Sequence, residues 1–324
     1  MKIIIDGYNK TIHKQNNHII IKDNNKTILD ELATNIDNIV ILGKGHITFD
    51  ALNLLSQENV NIISTTYNNQ IRYTLNNHNN TTKITLLKKQ VYHSDSKESI
   101  KTCKEIIRSK IKNQTNTLKT LNRYKKHNKI TENIEKINTN LEKLETTQQK
   151  NQIRGIEGIC SNLYWLSIKE IIPPEYNFKN RTKRPAKDVV NAMLNYGYAI
   201  LASQITIKII QNGLNPDIGL LHSDLDNRHS LTYDIIEEFR QQIVDKTIIS
   251  MINNKQITTE DYQENLITLD KRKIIIEKIL KKLENKIVYK NKEYTYDEII
   301  DKQINNLKEV ITKDTEYEGF YLNW

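Results

Sequence analysis

The chain has 324 residues, 37% hydrophobic and 27% charged, which is the balance of a soluble globular protein with a sizeable core and, by length, two domains. Its 48 Lys and Arg against 39 Asp and Glu leave a net charge of +9, which favours a polyanionic partner but equally suits a basic, solvated surface. Cys103 and Cys160 belong to no CxxC pair, which excludes a zinc knuckle or a disulfide framework. No apolar run approaches a membrane span, and the run in MKIIIDGYNK is too short for a signal peptide, so the expectation is a cytoplasmic protein without a membrane partner.

The first 85 residues carry short apolar runs (KIIID, HIIIKD, NIVILG, VNIIST, IRYTL) punctuated by Asp6-Gly7, Asn16-Asn17, Asn24-Asn25 and Gly43-Lys44-Gly45. Runs of this length between turn residues predict antiparallel strands in a small sandwich or folded sheet. Residues 47–59, ITFDALNLLSQEN, have apolar groups at helical spacing and predict one short helix. From about residue 86 the period becomes helical. SIKTCKEIIRSKIKNQ and ITENIEKINTNLEKLETTQQ read as amphipathic helices, and the stretch 113–151, free of Pro and Gly, predicts a helical hairpin breaking near Lys125-Lys126-His127-Asn128.

Residues 156–172 predict a more apolar helix stopped by Pro173-Pro174. The basic loop NFKNRTKRP leads into AKDVVNAMLNYGYAILASQITIKIIQNG, apolar around much of its circumference, which predicts a buried central helix ended by Gly213. A helix over 230–252 and two further amphipathic helices follow, before the aromatic tail EYEGFYLNW. The expected class is α+β and mostly α: a β-rich, sandwich-like domain over residues 1–85, then a larger all-helical catalytic domain over residues 86–324.

One stretch stands out for chemistry. In GLLHSDLDNRHSLTYDIIEEF, His222 precedes a polar loop and a helix in which Asp234 and Glu237, three apart, share a face. Clustered carboxylates call for a cation, either a Lys or Arg partner or a metal. The plainer reading is an acidic helix start facing solvent and favoured by the helix dipole. An imidazole beside the pair suits Mn²⁺ and, less ideally, Mg²⁺. A calcium loop around Asp224 and Asp226 is excluded, because His229 stands where the sharp-turn glycine belongs and Ile235 where the bidentate Glu belongs. A third acid, Glu157, sits between Gly155 and Gly158 at the head of an apolar helix, where glycines permit close packing or ligand approach. Spacing alone does not bring residue 157 to residues 222–237.

Three motifs in order, GIEGICSNLYW, KRPAKDVVNAMLNYGYAIL and GLNPDIGLLHSDLDNRHSLTYDIIEEFRQQIVD, resemble the CRISPR-associated integrase family, the metal-dependent DNA endonucleases that insert spacers into CRISPR arrays. VILGKGHITFDALNLLSQENVNIISTT resembles that family's β-domain and SKIKNQ its first helices, so the resemblance spans nearly the whole chain. It implies metal ligands Glu157, His222 and Glu237 holding Mn²⁺ or Mg²⁺, with Asp234 as a further catalytic acid. Gln241 follows Arg240 where relatives often carry Pro, a departure that touches helix continuity more than chemistry.

The implied reaction is attack by a DNA 3′-hydroxyl on a repeat phosphodiester, with double-stranded or branched DNA as substrate. The implied assembly is a homodimer formed through the β-domains, two such dimers flanking a dimer of the small companion adaptation protein to give a heterohexamer. Candidate phosphate contacts are Arg181, Lys183, Arg184, Lys187 and Arg240, with Lys179 beside them and a second basic row at Lys101, Lys104, Arg108, Lys110 and Lys112. Asn191, Tyr196 and Tyr198 are candidates for a supporting shell, or are ordinary polar groups of a buried helix. Two alternatives stand beside this reading. One is a transposon-borne integrase of the same family, against which the absence of extra C-terminal DNA-binding domains is the expectation. The other is a DNA-binding scaffold with an inactive site.

Overall fold

The computed structural model describes residues 1–66, 71–75, 84–123, 126–182, 185–221, 229–263 and 265–322. Up to residue 75 the chain forms β1 (Lys2–Ile5), β2 (Lys10–Gln15), β3 (His18–Asp23), β4 (Lys26–Leu32), β5 (Asn38–Ile41), β6 (Gly45–Ile47), α1 (Phe49–Gln57), β7 (Asn61–Thr65) and β8 (Ile71–Leu75). These strands make two four-stranded sheets, in the orders β1-β5-β7-β8 and β4-β3-β2-β6.

The expectation of antiparallel strands holds for β2–β3–β4 and for β7–β8 only; β1–β5, β5–β7 and β2–β6 are parallel. The reason lies in burial on two faces. Ile39 and Ile62 belong to a core shared by both sheets and α1, whereas Val40, Leu42 and Ile63 belong to the core of the helical part. A strand covered on both faces shows a continuous apolar run in place of alternation, as parallel strands do. Asn16, Asn24 and Asn25 make the hairpin turns in the left-handed region, which asparagine tolerates. Gly43 is required where the ends of two strands meet: a Cβ there would lie 2.0 Å from the Gly7 carbonyl oxygen.

The helical part comprises α2 (Ile84–Asp95), α3 (Ser99–Asn122), α4 (Asn128–Lys143), α5 (Lys150–Lys169), α6 (Val189–Gln211), α7 (Ser230–Ile236), α8 (Lys246–Asn253), α9 (Leu269–Glu284) and α10 (Tyr296–Lys313). The predicted hairpin is α3 and α4, and the central helix is α6, buried along nearly its whole length and ended by Gly213 at φ +79°. Three details differ from the expectation. The helix placed at 156–172 begins at Lys150, so Gly155 and Gly158 lie inside it. Buried Ile153, Cys160, Tyr164 and Ile168 make one apolar stripe, and its packing offsets the roughly 1 kcal/mol helix cost of each glycine. The helix placed at 230–252 is interrupted by a turn and a π-helical stretch, Gln241–Asp245. Two short hairpins, β9 (Tyr262–Gln263) with β10 (Leu266–Ile267) and β11 (Lys286–Tyr289) with β12 (Lys292–Thr295), sit among the helices.

Polar contacts tie the strands to the helices. The Tyr196 hydroxyl donates to Asp6 at 2.8 Å, Arg272 pairs with the same carboxylate at 3.3 Å, and Asn38 and Gln204 exchange amide hydrogen bonds. Tyr196 is therefore an anchor to the strand region, which corrects its placement in a shell around the acids. Among the described residues no helix is long and apolar enough to cross a membrane.

Gly197, in the middle of α6, lets the π-helical stretch pack close, because a Cβ there would lie 2.7 Å from Val244 Cγ1. Gly197→Val is expected to lower stability by about 1–3 kcal/mol through overpacking. The measurement is the urea midpoint, and an unchanged midpoint refutes the contact.

Candidate active site

Three helices meet at the centre of the helical part. On α3, Lys110 and Gln114 lie one turn apart and face α5. On α5, Glu157 and Ser161 are also one turn apart. Glu237 comes from the turn that closes α7. The Lys110 ammonium bonds Glu157 Oε1 and reaches Glu237 Oε2 at 2.8 Å. The fold thus brings together two acids that spacing could not connect, with a cation between them. Ser161 donates to Glu157 Oε1 at 2.8 Å, and Gln114 donates to Ser161 at 3.3 Å. Burial raises the Glu157 pKa and so does the charge of Glu237, but the Lys110 charge and hydrogen bond prevail and hold the carboxyl below its usual range.

Glu237 is held from behind. Arg240 Nη1 donates to both its oxygens, at 3.0 and 3.2 Å. The same guanidinium lies 4.2 Å from the centre of the Tyr198 ring, and the Tyr198 hydroxyl donates to buried Asp245, which also accepts from Tyr164 at 2.8 Å. Burial raises the Asp245 carboxyl and both tyrosines above their ordinary values. Tyr198 thus links Arg240, which grips Glu237, to the buried Asp245. The π-helical stretch ends at Asp245 and sets this network behind Glu237; such local widening is frequent at functional positions.

The neighbouring residue points the other way. Glu238 is fully buried and accepts from the Tyr317 hydroxyl, the Phe320 amide and Gln303, at 2.5, 2.5 and 3.0 Å. Asn113, on α3, donates to the Glu238 carbonyl and to the Phe320 carbonyl. The C-terminal aromatic tail thereby fixes the peptide that presents Glu237, with Phe320 stacked on Phe239 at 5.1 Å.

Several sequence candidates take other places. Asp234 is fully buried, and its Oδ2 accepts the Leu220 and Leu221 amides at 2.6 and 3.1 Å. Arg154 Nε donates to the Leu221 carbonyl at 3.0 Å. Asp234 thus holds the Leu220–Leu221 backbone. Arg181 spends its guanidinium on Asn191, Asn195 and the Thr182 carbonyl, and Arg240 on Glu237 and Tyr198, so neither is the free phosphate contact expected. Asn191 shapes the loop before α6 through Thr182, Asn180 and Asp188, away from the acids. Lys187 and Lys179 remain exposed. In the second basic row, Arg108 pairs with Glu105 and Glu145, and Lys112 lies over Tyr321. His222, Lys183 and Arg184 lie outside the described residues, as do Asp224 and Asp226.

Two carboxylates sharing one ammonium form a hard-oxygen, cation-binding pair, which fits Mn²⁺ or Mg²⁺. A Cβ at Gly155 or Gly158 would meet nothing within 4 Å: both glycines lie on the solvent side of α5, turned away from the face that carries Glu157. Glu157 is 27% exposed against 8% for Glu237, which puts the approach on the Glu157 side. Among the described residues no three His, Cys, Asp or Glu stand close enough to hold an ion. The expected third ligand, His222, is not among those residues.

The family model for CRISPR associated protein Cas1 matches residues 3–285. The chain belongs to the Cas1 family. It is 41% identical to a CRISPR-associated protein Cas1 of Methanobrevibacter ruminantium and 30% identical to a CRISPR-associated endonuclease Cas1 of Archaeoglobus fulgidus, each alignment covering 100% of both chains. Its fold resembles a casposase bound to integration product, with a TM-score of 0.85 and 25% identity over 98% of this chain and 93% of that one. In this Cas1 chain the sequence left out Ser161, Asn113 and Glu238, and it read Lys110 as one of a basic row. Ser161 carried a local signal, one turn after Glu157; Asn113 and Glu238 carried none, because their partners are distant in the chain.

Burial lifts the Glu238 carboxyl from its ordinary 4.5 to about 7, against the opposing hydrogen bonds of Phe320, Tyr317 and Gln303. A raised acid pKa favours the folded state below pH 4.5, and that contribution is lost as pH rises to about 7. Glu238→Gln, which cannot ionise, is expected to flatten this stretch of the stability–pH curve, by on the order of 1–3 kcal/mol. Urea titrations at pH 4.5, 6 and 7.5 check this; parallel curves for both proteins refute it.

Proposed function

We propose that the chain is a divalent-metal-dependent DNA endonuclease and integrase that inserts spacer DNA into a CRISPR array by 3′-hydroxyl attack on a repeat phosphodiester. The observation that carries this reading is the convergence of Glu157 and Glu237 on one cation, with the Glu157 carboxylate partly exposed. Glu157, Glu237 and His222 would hold Mn²⁺ or Mg²⁺. When bound, the metal supplies positive charge for the oxygens of the attacked phosphate and orients the attacking hydroxyl.

The chain's own groups prepare that site. Ser161 and Arg240 set the directions of the two carboxylates. Lys110 keeps positive charge between them, where a phosphodiester would otherwise meet two like charges. Asp234 and Arg154 hold the two sides of the Leu221 peptide, and so the point from which His222 enters. Support also comes from the curated relative named as an endonuclease and from the casposase bound to integration product. The casposase likeness favours a second reading, in which the same chemistry joins the ends of a mobile element; strand-transfer assays with repeat DNA and with element ends separate the two.

The partners follow from the same reading: double-stranded or branched DNA, a second copy of the chain docked through the strand-rich part, and a dimer of the small companion adaptation protein completing a heterohexamer in the cytoplasm. The mass of the assembly in solution, with and without the companion, tests its composition.

Glu157→Ala, His222→Ala and Glu237→Ala are each expected to abolish Mn²⁺-dependent cleavage and strand transfer while circular dichroism shows the fold retained, with a lower melting temperature for the two acid variants, which leave Lys110 short of a partner. A fully active Glu157→Ala or Glu237→Ala enzyme would falsify the site. Binding of wild type to duplex DNA is expected to weaken with salt at a log–log slope of roughly −0.9 per phosphate contact, and a flat response removes DNA as the substrate.

A further inference from the structure

Away from the acidic pair, α8 and α9 flank a solvent-open cavity of about 280 Å³. Lys246 reaches it from α8, and Lys278, Lys281 and Lys282 from α9. Thr247, Ser250 and Asn254 add hydroxyl and amide groups, and no Asp or Glu is among the described residues that line it. None of the four lysines has an ion-pair partner among the described residues.

Three shielded lysines elsewhere are neutralised by acids. Lys110 has Glu157 and Glu237, Lys208 has Asp297 and Asp301, and Lys10 has Asp23. Here burial, and then the charge of Lys282, pushes the Lys246 ammonium down to about 8, and burial lowers Lys282 as well. Lys282 is further fixed by lying over the Tyr296 ring, 5.2 Å from its centre. The fold therefore holds like charges together, partly stripped of water, with hydroxyl and amide groups beside them. An anion would neutralise that arrangement, and lysine acts towards phosphate as a point charge.

We infer that the cavity between α8 and α9 docks a backbone phosphate of duplex DNA, at a place separate from the site of bond breaking; this rests on the reading that the substrate is DNA. The cavity is below the roughly 300–1,000 Å³ of small-molecule sites. No aromatic ring lines it to stack a base. Both features fit a phosphate on a continuous strand better than a free nucleotide.

The test uses metal-free, full-length protein, so that binding is read without cleavage, and a fluorescent 40-base-pair duplex, about that length being enough to span several contact points. Lys278 and Lys281 are exposed, and Lys278→Gln with Lys281→Gln removes two charges without opening the core. Lys136→Gln with Lys143→Gln removes two exposed charges from α4 as the control. The cavity pair is expected to weaken binding roughly tenfold and to reduce the steepness of the log–log salt slope by about one, while the control stays at wild type. Equal slopes for all three proteins, or equal losses in the two variants, overturn the cavity and leave the enzyme reading standing. A wild type with no salt-dependent binding overturns both.

Discussion

Two ionised carboxylates on different helices that share a half-buried face repel each other unless positive charge lies between them. In this chain the charge is the Lys110 ammonium, and the placement of α3, α5 and the end of α7 is consistent with that one bridge. Removing the cation would leave two acids facing each other in a partly dry space, where repulsion is stronger than in water. Removing either acid would leave a buried ammonium half neutralised. The cluster is therefore a unit whose members are interdependent, and it is exposed to solvent chiefly through Glu157.

Precision at Glu237 comes from two opposed anchors. The residue itself is gripped by Arg240, which is stacked on Tyr198 and so tied to Asp245 and Tyr164. The next residue, Glu238, is gripped from the opposite side by the C-terminal tail, and Asn113 bonds the carbonyl between them. A short α7, a turn and a π-helical stretch allow adjacent side chains to point in opposite directions, which a continuous helix over the same residues would not. The tail, remote in sequence, thus takes part in setting the geometry of the acids.

Charge in this protein is divided by function. Some cations near the core are matched to acids and hold elements together, as Lys208 does between α6 and α10 and Arg272 does at Asp6. Four lysines with no ion-pair partner among the described residues lie between α8 and α9. A net charge of +9 therefore says less about nucleic-acid contacts than the positions of lysines that lack a carboxylate.

Much was legible before any coordinates. Period, turn residues and Gly213 marked a strand-rich beginning, the α3–α4 hairpin and a buried α6, because these follow from local burial patterns and backbone freedom. The motif order carried the family. Parallel pairing in the first sheet was not legible, since a strand buried on both faces does not reveal its neighbours' direction. Nor was the use of Lys110, Asp234 and Arg181: a lysine in a basic row, an acid on a helix face and an arginine in a loop have the same local signature whether free or committed. The sequence by itself determined which acids the chain carries and on what kind of elements. Only the tertiary structure decided which of them meet and which basic groups remain unpaired, because electrostatic partners are chosen by distance in space, which chain spacing does not encode.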